Sequence, residues 1–340
     1  MSKNKQVFSG IGGQAIMEGI MMRNRTRYAA AVRKPDGEIE ILEDECHMFS
    51  EKHRWAAFPF IRGVFSFVDS LKLGMKTLMW SASFAEEDPS RENTGKNSEI
   101  DSGETAGGTV EKKPAESQAT AEEPAGLSKA QTIGTVVIAL VFAIGLFALL
   151  PAFLGGLLNK AIHNSFITAL AEGIIRLLIF IAYVAGISFN KDIRRVYMYH
   201  GSEHKCINCL EKGLPLTVEN VMASSKEHKR CGTSFMLIVM LISIVLFMFI
   251  RVESIPLRLL SRLLLIPVVA SLSFELLQFT GRHDNTFTWV LSRPGMWLQG
   301  LTTKEPEADM CEVAIAAVEK VFDWKQFLQD NFDHDVPGTP

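Results

Sequence analysis

Charge is absent from two long stretches of this chain. Residues 130–159 contain no Asp, Glu, Lys or Arg, and neither do residues 231–250. A helix in water presents a polar face, so runs of this kind exclude an ordinary soluble fold and favour lipid-facing spans of about 20 residues each. Cysteine is scarce as well. Cys46, Cys206, Cys209, Cys231 and Cys311 are the only five among 340 residues, too few and odd in number for a secreted disulfide framework. No broad basic surface exists. The formal net charge is -3 and the main acidic concentration lies in one linker, which excludes a nucleic-acid footprint. Residues 1–10 are polar and run into glycines and charges, so no cleavable signal peptide is expected. Gly12-Gly13 lacks the spacing of a phosphate-binding or dinucleotide loop and reads as a tight structural turn. No Ser/His/Asp arrangement can be assigned from spacing, because such triads meet only in the fold.

What is present reads as an α-helical polytopic membrane protein with a small cytoplasmic α+β portion. Spans are predicted at about 132–150, 166–189, 235–250 and 259–280. Lys191, Arg194, Arg195, Lys205, Lys212, Lys226, Lys229 and Arg230 crowd the loop at 190–231, against Lys160 and then Arg251 with Arg258 in the opposite connections. Positive charge stays inside, so both termini and that loop are expected in the cytoplasm of a multi-pass cell-membrane protein. Within residues 1–57, a β-rich unit is expected from two strands, about 28–33 and 38–42, joined by Pro35-Asp36-Gly37. Residues 58–85 carry apolar positions at helical spacing and predict an amphipathic interface helix; a plain core helix is the competing reading. Residues 86–127 form an acidic linker too polar to bury a core. The helical bundle occupies 130–281, where Glu172 and Arg176 are spaced to neutralise each other. In the C-terminal segment, 282–340, Pro294-Gly295-Met296-Trp297-Leu298 suggests a turn with an interfacial aromatic. Asp309 and Glu312 there have the spacing to cap a helix striped by Val313, Ala317, Val318, Val321 and Phe322.

The segment with chemical content is Tyr199-His200-Gly201-Ser202-Glu203-His204-Lys205. On a helix, His200 and His204 project from one face and present two imidazoles to one ion, Zn2+ or another divalent transition metal. Glu203 beside them is placed as a general base in the H-x-x-E-H order. A hydrolytic site needs a third ligand and an open position. Glu275 is the first candidate, because an acid inside an apolar span is costly unless paired or coordinated; an ion pair with Arg62, Arg282 or His283 is the alternative. His228 and Cys231 are further candidate ligands. With Cys206 and Cys209 they also make a closed structural zinc set. The bland reading makes His200, Glu203 and His204 a solvated helix face.

Taken together, Gly12-Gly-Gln-Ala-Ile-Met-Glu-Gly-Ile-Met-Met-Arg23, Phe60-Ile-Arg-Gly63, Tyr199 to Lys205, Arg230-Cys-Gly-Thr-Ser-Phe235 and Trp297-Leu-Gln-Gly-Leu-Thr-Thr303 resemble a bacterial membrane-protein family catalogued as domain of unknown function 1385. The resemblance covers nearly the whole chain outside the acidic linker. It implies a cell-membrane location and a metal-dependent enzyme without a settled substrate. Glu18 and Arg62 complete the candidate set. The family pattern has Thr where this chain has Cys206, which weakens the structural zinc reading. Two functions follow as expectations: a metal-dependent hydrolase, with a peptidase among its candidate forms, or a non-enzymatic insertion or assembly factor whose basic loop meets a translocon, a ribosome or a client chain. Besides the lipid bilayer, the partner is an unidentified protein client or substrate.

Overall fold

The computed structural model describes residues 7–49, 53–85, 129–249, 255–283 and 285–332. The expected acidic linker lies outside the described residues. The N-terminal unit is a four-stranded antiparallel meander, β1 Ile11–Ile16, β2 Gly19–Asn24, β3 Arg27–Arg33 and β4 Ile39–Glu45, in the order β1-β2-β3-β4. Two strands were expected and four are present. Gly12-Gly13 is not a turn; both residues lie in β1, paired to Arg23 and Met22. The chain reverses instead at Met17-Glu18 and at Arg25-Thr26, where Glu18 (φ 49°) and Arg25 (φ 53°) adopt left-handed backbone that favours glycine.

After a 3-10 turn at Arg54–Ala57 come α1 Arg62–Ala85, α2 Lys129–Ile144, α3 Leu150–Ile162, α4 Ser165–Ile187, α5 Lys191–Glu211 and α6 Val218–Ala223. They are followed by α7 Gly232–Phe249, α8 Ile255–Arg282, α9 Thr286–Thr302, α10 Ala308–Val321 and α11 Trp324–Phe332. Four helical segments are long and apolar enough to cross a membrane: Val137–Ala161, Phe166–Ile187, Gly232–Phe249 and Leu260–Gly281. The first runs further than expected, because a π turn, Gly145–Leu149, joins α2 to α3 without breaking the rod. Such a turn frees a main-chain carbonyl, and the Phe147 carbonyl accepts from Arg176 Nε at 3.1 Å. The pair Glu172–Arg176 (3.1 Å) has a third member, since Arg262 reaches the same carboxylate at 2.8 Å.

The sheet is buried on both faces, with side chains alternating between them. Ile20, Met22, Ala29 and Ala31 join Ile207, Leu210, Met310, Val313 and Ala317 in the larger core, built from α5, α6 and α10. Met21, Tyr28, Ala30 and Val32 face α1 through Leu73, Trp80 and Phe84. The alanines at the centre of β3 let a helix approach closely from each side. The expected stripe on α10 lies in the larger core, with Phe322 partly buried against it. Its N-cap, however, is Glu307 rather than Asp309, and no side chain caps it. Asp309 and Glu312 turn to Arg33 instead, at 3.9 and 2.7 Å. The turn expected at Pro294-Gly295 is also absent. Pro294 lies inside α9, which packs against α7, so packing overrides a helix-propensity cost of about 3 kcal/mol.

Helix α5 carries the chemical segment, and its ends are built for it. The Asn190 side chain accepts from the amides of Asp192 and Ile193 at 2.8 and 3.2 Å, satisfying two of the first-turn donors. At the other end Gly213 (φ 78°) donates to the Leu210 carbonyl and Leu214 to that of Cys209, at 2.9 and 3.1 Å. Those two bonds form a Schellman stop. Midway, Gly201 lets the 302–306 segment lie against the helix, and a Cβ there would collide with the Lys304 carbonyl. Gly201→Ala is therefore expected to destabilise the protein by about 1–3 kcal/mol through overpacking. Thermal unfolding checks this; an unchanged midpoint would refute the close approach.

Candidate metal centre

Three donors converge where α5 meets the loop before α7. His200, His204 and Cys231 each offer one ligand atom, and these lie within 4.8 Å of one another. Ligand bonds of roughly 2.0–2.3 Å let a single ion span that gap with small side-chain adjustments. The two imidazoles are edge-to-face with centroids 4.4 Å apart. Their outer nitrogens meet main-chain carbonyls: His200 Nδ1 lies 3.0 Å from the Thr302 oxygen and His204 Nδ1 2.7 Å from that of Lys226. A carbonyl only accepts, so both Nδ1 atoms carry a proton and each Nε2 is left to face the site. This is the second-layer arrangement that fixes metal-binding histidines. His200 Nε2 sits 3.1 Å from Cys231 Sγ.

The loop that delivers Cys231 has its backbone held by side chains from α5. Lys205 Nζ donates to the carbonyls of Met222 and Ser224 at 2.6 and 3.0 Å, and Asn208 Nδ2 to those of Ser225 and Glu227 at 2.7 and 2.8 Å. Lys205 also pairs with Glu305 at 2.5 Å. From α9, fully buried Gln299 accepts from the His228 amide at 2.9 Å and donates to the His228 carbonyl at 2.7 Å. Gln299→Leu leaves both of those groups buried and unpaired, at about 1–3 kcal/mol each, and loosens the approach of Cys231. We expect a lowered melting temperature together with a 10- to 100-fold loss of metal affinity, the usual scale for supporting contacts. Isothermal titration with zinc reads the second effect, and unchanged affinity would remove Gln299 from the site.

Charge is concentrated at the cluster. Burial opposes ionisation of Cys231, yet His200 and His204 outweigh it and hold the thiol well below its ordinary range. Burial likewise opposes the His200 imidazolium, but Cys231 outweighs it and raises His200 to about 9. Burial pushes the Glu203 carboxyl upward against the opposing pull of both histidines, and Gly13 lets it lie against β1, since a Cβ there would come within 3.0 Å of its Cδ. Glu203 Oε2 is buried without a hydrogen-bond partner. An orphaned carboxylate oxygen beside three convergent donors fits a site made for a cation and a water.

The other sequence candidates lie elsewhere. Glu275 is not in the cluster; its two oxygens are gripped by Arg62 Nε and Nη2 at 2.7 and 2.6 Å, so the ion pair explains this acid in an apolar helix. His228 stacks near His204, with centroids 5.6 Å apart, but its ring faces Glu211 and Arg230 at 3.7 and 3.2 Å. Glu18 is bound by Arg195 through both oxygens, at 2.7 and 2.5 Å, pinning the β1–β2 turn to α5. Cys206 and Cys209 point into the larger core with Cys311 and do not join Cys231, so the closed structural zinc set is not formed. Sequence reasoning missed Gln299 and the carbonyls of Thr302 and Lys226. Gln299 and Thr302 fall inside the motif Trp297 to Thr303, which was the one available signal.

The comparisons agree with the extent of this architecture and carry no activity. A family model described as "Protein of unknown function (DUF1385)" matches residues 58–324. The chain is 32% identical over 333 residues to "Uncharacterized protein YqhQ" of Bacillus subtilis (strain 168), covering 97% of this chain and 98% of that protein. No solved structure matches. On the family match and the near full-length relative together, this chain belongs to the DUF1385 family.

Proposed function

We propose that this protein is a metal-dependent hydrolase of the cell membrane, its four apolar helices spanning the bilayer and its sheet and metal centre on the cytoplasmic side. The side assignment rests on the excess of Lys and Arg in the 190–231 loop. The hydrolase reading rests on one observation: two imidazoles with their Nδ1 protons tied to main-chain carbonyls turn both Nε2 atoms toward a single thiol. His200, His204 and Cys231 would hold the ion, three protein ligands being the number that catalytic zinc sites use. When bound, such an ion supplies Lewis acidity there. Glu203 takes up and returns the proton through its unpartnered Oε2, and burial tunes its carboxyl toward the range a base needs. Gly13, having no Cβ, lets that carboxylate lie against β1. Thr302 and Lys226 hold the imidazole tautomers.

The contact between His200 and Cys231 supports a second reading, a thiol nucleophile with His200 as its partner. It leaves the second imidazole and the free Glu203 oxygen without a task, so we favour the metal. Elemental analysis of the detergent-purified chain, followed by turnover on a panel of chromogenic esters, amides and phosphoesters with and without chelator, separates the two. Turnover that survives complete metal removal would sink the metal reading.

A further inference from the structure

The metal centre opens into a cavity of about 540 Å³ whose walls change along its length. At one end Phe67 and Leu71 of α1 face Phe235 of α7 and Phe274 and Leu277 of α8. These belong to the helices that carry the apolar spans and to the helix packed on α8. Phe67 and Leu71 are 47% and 58% exposed, so this end is open and oily. His200, Glu203 and Cys231 line the same cavity. A second cavity of about 420 Å³ shares Gly12, Gly13, Gln14, Ser70 and Arg230 with the first, and adds Arg23 and Arg25.

Those two arginines carry unspent charge. Arg230 is bound to Glu211. Arg23 Nε donates to the Arg25 carbonyl at 2.8 Å, and among the described residues no carboxylate lies within ion-pair distance of Arg23 or Arg25. Arg25 moreover sits in left-handed backbone (φ 53°), which costs roughly 1–2 kcal/mol for a residue with a Cβ. A cation stands where glycine would fit the turn with less strain, as is found where strain serves a ligand.

We propose that these two adjoining cavities together bind a phosphate-bearing lipid with a single apolar chain. The chain lies between α1 and helices α7 and α8, the phosphate at Arg23 and Arg25, and the acyl ester joining them beside Cys231 and Glu203, where hydrolysis bonds the oxygen of water to the acyl carbon, breaks the ester C–O bond and releases the glycerophosphate alcohol with the proton that Glu203 returns. The volume is that of a small-ligand site, which suits one chain rather than two. An extended peptide added along β1 is less well served, because the Glu203 carboxyl already lies against that edge strand at Gly13. Lipid binding stands apart from the hydrolase reading, while cleavage of that lipid rests on it.

The test uses the full chain in nanodiscs of phosphatidylcholine, with myristoyl lysophosphatidate as the anionic probe and monomyristoylglycerol as its uncharged match. Wild type is expected to bind the anionic probe about tenfold or more tighter. Arg23→Gln with Arg25→Gln should abolish that preference, and Phe67→Trp should weaken both probes by filling the apolar end. Equal binding of the two probes by wild type, or a preference that persists in the double variant, overturns the inference. Displacement by inorganic phosphate at matching concentration would make this a phosphate site only and overturn the chain half. Displacement by an uncharged extended hydrophobic peptide, with no preference between lipids, would assign the cleft to peptides instead. Metal bound without lipid binding sinks the lipid inference alone. Lipid binding that persists in a wild type devoid of metal supports the lipid cleft and sinks the hydrolase reading alone.

Discussion

Purified in detergent, the wild-type chain is expected to carry about one zinc or similar divalent ion per molecule, and His200→Ala, His204→Ala and Cys231→Ala are each expected to lose it. The expected drop is large. Contacts that merely support ligands are worth 10- to 100-fold in affinity, so removing one of three ligands should exceed roughly 100-fold. Replacing His228, whose ring faces Glu211 and Arg230, should leave the ion in place. So should Glu275→Gln. If the histidine and cysteine variants keep their metal while His228→Ala or Glu275→Gln loses it, the ligand set has been misassigned. If wild type holds none even after reconstitution with zinc, the metal reading loses its support, and turnover without metal decides between the thiol nucleophile and the assembly factor.

The second large effect is expected from Glu203→Gln. The variant should retain full metal content and lose about 10²–10⁴-fold in kcat, the range for removing a general base, with a smaller change in KM. Stability should not fall, because an uncharged amide removes the burden of a buried carboxylate whose Oε2 has no partner. Glu275→Gln should behave in the opposite manner. Its carboxylate is bidentate with Arg62 and only partly exposed, so the substitution should cost about 1–3 kcal/mol and leave kcat near wild type. Turnover retained in Glu203→Gln would remove the base, whatever the metal content.

How much of this was readable beforehand depended on whether the information was carried by side-chain pattern or by main chain. The apolar helices are legible because charge is missing from them, and the pairing of His200 with His204 because a spacing of four puts both on one helical face. Glu275 was misleading for a physical reason. An acid in an apolar helix signals that a partner exists, but Arg62 lies 213 residues away and nothing in the sequence links them. Cys231 stood among several ligand candidates, and what singles it out is a loop whose carbonyls are held by Lys205, Asn208 and Gln299. Carbonyls leave no trace in residue identity. The first two hairpins were missed because their left-handed positions are Glu18 and Arg25, where a turn signal would be Gly or Asn. The turn expected at Pro294 failed because packing of α9 on α7 outweighed local propensity.

The larger core also has a history in time. Its first strands are translated near the beginning of the chain, yet Ile20, Met22, Ala29 and Ala31 are covered by Met310, Val313 and Ala317, nearly three hundred residues later. During synthesis the meander therefore waits, with one apolar face open, until every intervening helix has been made. Such distant pairings form slowly and expose aggregation-prone surface meanwhile. The nascent chain thus has a long interval in which β2 and β3 need shelter, and a polypeptide ending before α10 leaves that interval unclosed.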